Sequence, residues 1–104
     1  MEISWQILQS LEKKYGDSFY ILDLRKFENN YKEFLSSFRE IYSNSNIGYS
    51  YKTNYTPKLC QSVNFMGGYA EVVSQMEYDL AIRIGVHPLK IIILSFHKGY
   101  YIQL

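Results

Sequence analysis

Apolar residues recur at helical spacing in four stretches of the chain and predict four helices. Ser4 and Asp23 stand at the N-cap positions of the first two helices, and the second helix is predicted over 24–42. A proline at the first helical position opens the third helix, and a capping box, S-x-x-E from Ser74 to Glu77, opens the fourth. Glycines end the first, third and fourth helices, at Gly16, Gly67-Gly68 and Gly85.

Short runs of strand-forming residues separate these helices. They predict strands at Phe19–Leu22, Ile47–Lys52, Tyr69–Val73 and Ile91–Leu94. The last run is apolar on both faces, which is typical of a parallel strand covered by helices. Strands that alternate with helices predict an α/β fold of βα units around a parallel sheet. Two architectures fit this order: a small open sheet, or the first part of an incomplete (βα)8 barrel, since a closed barrel needs about 250 residues.

Length and charge restrict the classes of function. A chain of 104 residues is expected to form one domain, 1–104, and its net charge of +1 disfavours nucleic acid or an anionic membrane as partner. Its single cysteine, Cys60, excludes an internal disulfide and a cysteine-rich zinc site. No apolar run is long enough to cross a bilayer, and the first residues lack the pattern of a signal peptide, so we expect a cytoplasmic protein.

Candidate chemistry lies at the carboxyl ends of the predicted strands, where α/β folds bind their ligands. The polar groups there are Lys52, Glu71, Ser74 and the stretch Ser95–Lys98. Lys52 shares a strand face with the small Ser50, and a lysine that is largely desolvated at a strand end can attack a carbonyl carbon. The alternative is a lysine whose amine simply extends into solvent.

Glu71 is predicted on the neighbouring strand, on the face opposite Ala70 and Val72. Its carboxylate there suits cofactor binding or proton transfer, and the alternative is an ordinary ion pair. No metal site is expected, because His87 and His97 have no partner at ligand spacing. Cys60 is expected to be buried packing, and the paired glycines do not match a phosphate-binding loop.

Four motifs in order resemble those of one enzyme family. They are Phe19-Tyr20-Ile21-Leu22-Asp23-Leu24, Tyr49-Ser50-Tyr51-Lys52-Thr53-Asn54, Gly67-Gly68-Tyr69-Ala70-Glu71-Val72-Val73-Ser74 and Gly85-Val86-His87-Pro88-Leu89-Lys90-Ile91-Ile92. The second resembles the motif Y-A-V-K-[AS]-N and the third G-x-G-x-[DE]-V-V-S. Over 18–98 the sequence is thus similar to the N-terminal part of the pyridoxal-phosphate-dependent amino-acid decarboxylases with the alanine-racemase-like barrel, among them ornithine, diaminopimelate and arginine decarboxylases.

The resemblance implies roles for particular residues. Lys52 would form the Schiff base with pyridoxal phosphate, and Glu71 would lie close to the cofactor ring and this lysine. Lys98 matches a family lysine after the last predicted strand, although the chain has Ser95-Phe96-His97-Lys98 where the family usually has N-[GP]-x-x-K. Phe19–Leu22 would belong to the family's separate β-domain, and 1–17 would be an N-terminal helix that precedes the resemblance.

The resemblance also implies that other parts of the cofactor site lie outside these 104 residues. We therefore expect an N-terminal fragment that is inactive by itself, whose parent is a homodimer acting on an amino acid. Two alternatives stay open: a small non-enzymatic α/β module that binds a partner, and a racemase or cofactor-carrying protein of the same fold.

Overall fold

Four α-helices and three short strands make up the computed structural model of the chain, which describes residues 1–94. The helices are α1 (Trp5–Tyr15), α2 (Leu24–Arg39), α3 (Pro57–Phe65) and α4 (Gln75–Arg83), and the strands are β1 (Gly48–Ser50), β2 (Tyr69–Val72) and β3 (Ile91–Ile93). A 3₁₀ turn, Pro88–Lys90, precedes β3. The stretch Ser95–Lys98 lies outside the described residues.

The predicted helix starts are confirmed. The side chains of Ser4, Asp23 and Ser74 each accept a hydrogen bond from the backbone N–H three residues on, at 3.3, 2.9 and 3.3 Å. Gly16 and Gly85 follow α1 and α4 with φ of 90° and 93°, a backbone conformation that favours glycine. Local side-chain chemistry therefore sets most helix boundaries in this chain.

The second helix ends three residues earlier than predicted, at Arg39 rather than 42. The side chain of Arg39 turns toward the following loop, where its Nε donates a hydrogen bond of 3.0 Å to the carbonyl oxygen of Ser45. Ile41 and Tyr42 are exposed, so no packing supports a further helical turn. Apolar spacing alone therefore predicts too long a helix here.

The first predicted strand is wrong. Phe19–Leu22 forms no strand, and the side chains of Tyr20, Ile21 and Leu22 are exposed. A strand needs a neighbour for its backbone N–H and C=O groups, and among residues 1–94 this segment has none. The composition of this segment favours a strand, but residues 1–94 contain no strand that pairs with it.

The three remaining strands form a parallel sheet in the order β1-β2-β3. Both connecting helices, α3 and α4, pack on one face of this sheet, over a core of Tyr51, Cys60, Ala70, Val72, Ala81 and Val86. Consecutive strands that lie side by side with their helices on one face are typical of a segment of a βα barrel. The chain is thus an α/β structure compatible with part of such a barrel.

A second cluster joins α2 to α3. Its buried members are Tyr31, Leu35 and Val63, and Ser62 on α3 donates a hydrogen bond of 2.5 Å to the carboxylate of Glu28 on α2. The helix α1 differs, because none of its residues is buried. None of the helices within residues 1–94 has the length and apolar character that crossing a bilayer requires.

Within residues 1–94, no helix packs on the other face of the sheet. We call it the open face and define it by Ser50, Tyr69, Glu71, Val73, Ile92 and Leu94, the residues that alternate with the core-facing ones. Ile92 and Leu94 are 40% and 44% exposed there. In a closed barrel this face would form the interior.

Candidate functional site

Lys52 lies in a tight turn at the carboxyl end of β1. The backbone N–H of Tyr51 donates to the carbonyl of Glu71 at 3.0 Å, which extends the parallel pairing by one residue beyond the strand. The N–H groups of Thr53 and Asn54 then both donate to the carbonyl of Ser50, at 3.3 and 3.4 Å. The backbone of Lys52 is thereby held between the end of a strand and a closed turn.

The side chain of Lys52 is exposed, which corrects the expectation of a desolvated amine. The physical reason is the open face: no described element covers the carboxyl end of the sheet on that side. Tyr51, one residue earlier, points the opposite way and is 1% exposed under the helices. Lys52 therefore lies on the side opposite Tyr51, as its predicted placement on the face of Ser50 requires, while the enclosed space around the amine is not present in residues 1–94.

Glu71 lies on the open face, as the alternation predicts. Its neighbours Ala70 and Val72 are 2% and 0% exposed on the core side, whereas Glu71 is half-buried. In the parallel register it stands opposite Ser50 on β1 and Ile92 on β3. The carboxylate thus lies on the middle strand, level with Ser50 and therefore two residues closer than Lys52 to the amino end of the sheet.

Lys52 and Glu71 do not pair with each other. Within residues 1–94 the single ion pair joins the amino terminus of Met1 to Asp23, at 3.8 Å. Since 4.0 Å is the outer limit of such a pair, the amine and the carboxylate lie farther apart than that. The ordinary ion pair considered for Glu71 is therefore not formed in the described chain.

Ser74 and Glu77 stabilise the junction between β2 and α4. Ser74 Oγ accepts from the N–H of Glu77, and Glu77 Oε2 accepts from the N–H of Val73 at 2.7 Å. In a regular capping box the carboxylate of Glu77 would accept from the N–H of Ser74. Here it accepts from the N–H of Val73, one residue earlier. Glu77 is only 5% exposed, so its carboxylate is committed to this backbone contact.

Cys60 packs in the core, as predicted. It is 1% exposed, and burial raises the pKa of its thiol to about 11. Burial likewise raises the pKa of the neighbouring Tyr51 hydroxyl well above its usual value. The sequence analysis assigned no role to Tyr51. Its buried ring nevertheless anchors the chain at the end of β1, directly before Lys52. The pattern that could have indicated this role is the alternation of Tyr51 with its polar neighbours Ser50 and Lys52.

His87 has a structural role, since its Nδ1 accepts from the N–H of Leu89 at 3.2 Å and caps the turn before β3. No group of three or more histidine, cysteine or acidic residues is placed to hold a metal ion anywhere in 1–94. His97 and Lys98 lie outside the described residues. Of the candidates within residues 1–94, Ser50 and Glu71 stand opposite each other on adjacent strands, and Lys52 follows Ser50 in the turn at the carboxyl end of β1.

Comparison with known proteins gives one informative similarity. No protein-family model and no solved structure matches the chain. Over 91 residues, 88% of the chain, it is 28% identical to a diaminopimelate decarboxylase from Aquifex aeolicus (strain VF5). The chain spans 21% of the length of that protein. The chain is thus similar to about one fifth of an amino-acid decarboxylase, which agrees with the family that its motifs resemble.

Proposed function

We propose that this chain is the N-terminal part of a pyridoxal-phosphate-dependent amino-acid decarboxylase, in which Nζ of Lys52 attaches the cofactor covalently. The observation that carries the proposal is the position of Lys52. Its amine extends from the carboxyl end of the first strand of a parallel sheet, where barrel enzymes place their chemistry. The similarity to a diaminopimelate decarboxylase supports the same reading.

The residues present fit one part of such a cofactor. Lys52 offers an exposed primary amine with no ion-pair partner in residues 1–94, which is the group that condenses with an aldehyde. Ser50, the last residue of β1 and two residues before Lys52, is small and leaves space for a ring. Glu71 adds an acidic oxygen on the adjacent strand. The fit covers the aldehyde end and ring of the cofactor rather than its phosphate.

Pyridoxal phosphate, when bound, supplies an electron sink that accepts the electrons left behind as carbon dioxide departs. The roles of this chain's own residues follow from their positions. Lys52 provides the anchoring amine, and the turn closed on the carbonyl of Ser50 orients it. We assign to Glu71 the task of holding or accepting a proton near Nζ of Lys52. The core under Tyr51 and Val72 keeps the two strands in fixed register.

The exposed amine also explains why we propose that residues 1–104 are inactive alone. Decarboxylation on this cofactor needs a site from which water is excluded, because a dry site strengthens the electrostatic contacts inside it. Lys52 and the open face have no cover in the described chain. Further structure over the open face is therefore part of the proposal.

Titration of the 104-residue chain with pyridoxal phosphate tests this function. We expect the visible absorption of a lysine-bound cofactor, lost in Lys52→Ala and retained in Lys58→Ala, a matched exposed lysine on α3. We expect no carbon dioxide release from diamino acids by this chain. An absorption band that survives Lys52→Ala would reject the assignment.

A second candidate is a non-enzymatic α/β module that binds a partner through its sheet. The open face and the unpaired outer edge of β1 among residues 1–94 favour it. Under this alternative, Lys52→Ala leaves cofactor absorption unchanged, because the wild-type chain shows no specific band either.

A further inference from the structure

The open face is concave. The side chain of Ile92 on β3 reaches toward β1, where its Cδ1 lies 3.4 Å from the position that a Cβ on Gly48 would occupy. These two strands are not neighbours, because β2 lies between them. In a flat sheet the side chains of two such strands project in parallel and stay about 10 Å apart. The face therefore curves around β2, and its side chains converge.

The amino end of this face is filled and held by side-chain contacts. Lys90, the residue before β3, places its Nζ 5.9 Å from the centre of the Tyr69 ring, a cation–π contact. The same Nζ donates a hydrogen bond of 3.3 Å to the carbonyl oxygen of Gly67, and this oxygen also accepts from Nδ2 of Asn46 at 3.2 Å. The segments that lead into the three strands are thus tied together at one end of the sheet.

The carboxyl end of the face is open toward Lys52. Ser50, Glu71 and Ile92 stand at one level in the strand register, and Gly48 lies two residues closer to the amino end. Because Ile92 leans toward Gly48, its side chain lies below the level of Ser50 and Glu71 and is still 40% exposed. The concave face is therefore a recess with an aliphatic floor and an amine at its mouth.

We propose that Ile92 is a positioning residue for the cofactor ring and that Gly48 makes this role possible. The inference rests on the proposed function, in which Lys52 anchors the cofactor. Ligand sites are lined mainly by apolar side chains, with a few polar groups that fix orientation. Ile92 supplies apolar surface below Glu71, and a larger side chain at Gly48 would enter the place that Ile92 occupies. A ring that is anchored at Lys52 and supported by this floor is held in one orientation.

Titration of the 104-residue chain with pyridoxal phosphate, followed by visible absorption and visible circular dichroism, tests the inference. We expect Ile92→Ala to weaken Lys52-dependent binding at least about fivefold, the effect of losing one or two methylene contacts. The visible dichroism of the bound cofactor should also disappear, because an unsupported ring has no fixed surroundings. Ile92→Val, which lacks Cδ1, should give an intermediate loss and is the variant to use if Ile92→Ala does not fold.

Ile82→Ala is the matched control. Ile82 lies on α4 and is 42% exposed, close to the value for Ile92, so the two substitutions remove similar apolar surface from different parts of the fold. The control is expected to bind cofactor and to show visible dichroism as wild type does. Far-ultraviolet circular dichroism verifies that each variant is folded.

Exchange of volume across the face gives a stricter test. Gly48→Val places methyl groups where Cδ1 of Ile92 lies and should weaken binding as well. The double variant Gly48→Val, Ile92→Ala fills the floor again and should bind within about twofold of wild type. A role of Ile92 in stability alone predicts that the two losses add.

The outcomes separate this inference from the function on which it rests. Lys52-dependent absorption and dichroism that are unchanged in both Ile92→Ala and Gly48→Val would overturn the inference and leave the proposed function standing. Equal losses in Ile92→Ala and Ile82→Ala, or additive losses in the double variant, would overturn it too. A wild-type chain without Lys52-dependent absorption would overturn both.

Discussion

Gly68 lies at the junction of α2, α3 and the start of β2 with no room for a side chain, and substituting it tests how that junction is packed. A Cβ at this position would lie 2.5 Å from Oη of Tyr31 and 2.6 Å from Cγ1 of Val63. Both distances are far below ordinary van der Waals contact, and Val63 is 2% exposed and cannot retreat into solvent. We expect Gly68→Ala to lower the free energy of unfolding by about 1–3 kcal/mol, the usual cost of overpacking.

Tyr31 makes the prediction more specific. Its hydroxyl is buried without a hydrogen-bond partner among residues 1–94, and burial raises the pKa of this group. Removing it by Tyr31→Phe costs no hydrogen bond, so we expect that variant to be neutral or more stable by up to about 1 kcal/mol. In the Tyr31→Phe background the nearest clash is gone and the one with Val63 remains. Gly68→Ala should then cost at least about 0.5 kcal/mol less than in wild type.

Urea unfolding followed by far-ultraviolet circular dichroism measures this cycle, at a concentration low enough to avoid association. Fluorescence of Trp5 is unsuitable because that side chain is exposed. The control is Gly85→Ala, whose φ of +93° makes alanine strained although no atom lies within 4 Å of the added Cβ. Its cost, about 1–2 kcal/mol, should not depend on Tyr31. Equal costs of Gly68→Ala in both backgrounds would refute the packing argument.

Further predictions concern the buried groups beside the site. Glu77→Ala should lower the free energy of unfolding by about 1.5–3 kcal/mol, because the N–H of Val73 loses its charged acceptor. Thermal unfolding measures this loss, with Ser74→Ala as the comparison, for which a loss of about 1 kcal/mol is expected. A loss in Glu77→Ala no larger than that in Ser74→Ala would contradict the prediction. The thiol of Cys60, with its pKa raised from 9.0 to about 11, should react with a disulfide reagent at pH 8 at least about 100-fold more slowly than in urea. The raised pKa of the Cys60 thiol also makes the free energy of unfolding depend on pH. It should stay constant below pH 9 and fall by on the order of 2 kcal/mol between pH 9 and 11, because the thiol loses its proton at lower pH in the unfolded chain than in the folded one. Urea midpoints that stay constant from pH 8 to 11 would contradict this.

Local chemistry made much of the fold predictable from sequence. The N-caps Ser4, Asp23 and Ser74 and the stop at Gly85 depend on residues within one or two helical turns, and all of them are confirmed. The parallel sheet followed from the alternation of strand and helix patterns, and its order β1-β2-β3 is compatible with the barrel segment that was one of two expectations. Whether a barrel closes depends on strands that are not among the described residues.

The errors have a common physical origin in missing partners. Among residues 1–94, Phe19–Leu22 has strand composition but no neighbouring strand. Lys52 stands just past the end of β1, in the turn after Ser50, and no described element covers it. Sequence pattern predicts which face a residue occupies, as it did for Glu71, because alternation along a strand is local. Whether a side chain such as that of Lys52 is shielded from water depends on which other element packs against its face. The residue pattern within its own segment does not contain that information.

The central claim is that the amine of Lys52 condenses with an aldehyde cofactor in preference to the other lysines. The direct measurement is borohydride reduction of the 104-residue chain with limiting pyridoxal phosphate, followed by peptide mapping by mass spectrometry. The account predicts label concentrated on the peptide that contains Lys52, with little on exposed Lys58 or Lys32. Label spread over the exposed lysines in proportion to their accessibility, with no preference for Lys52, would contradict it.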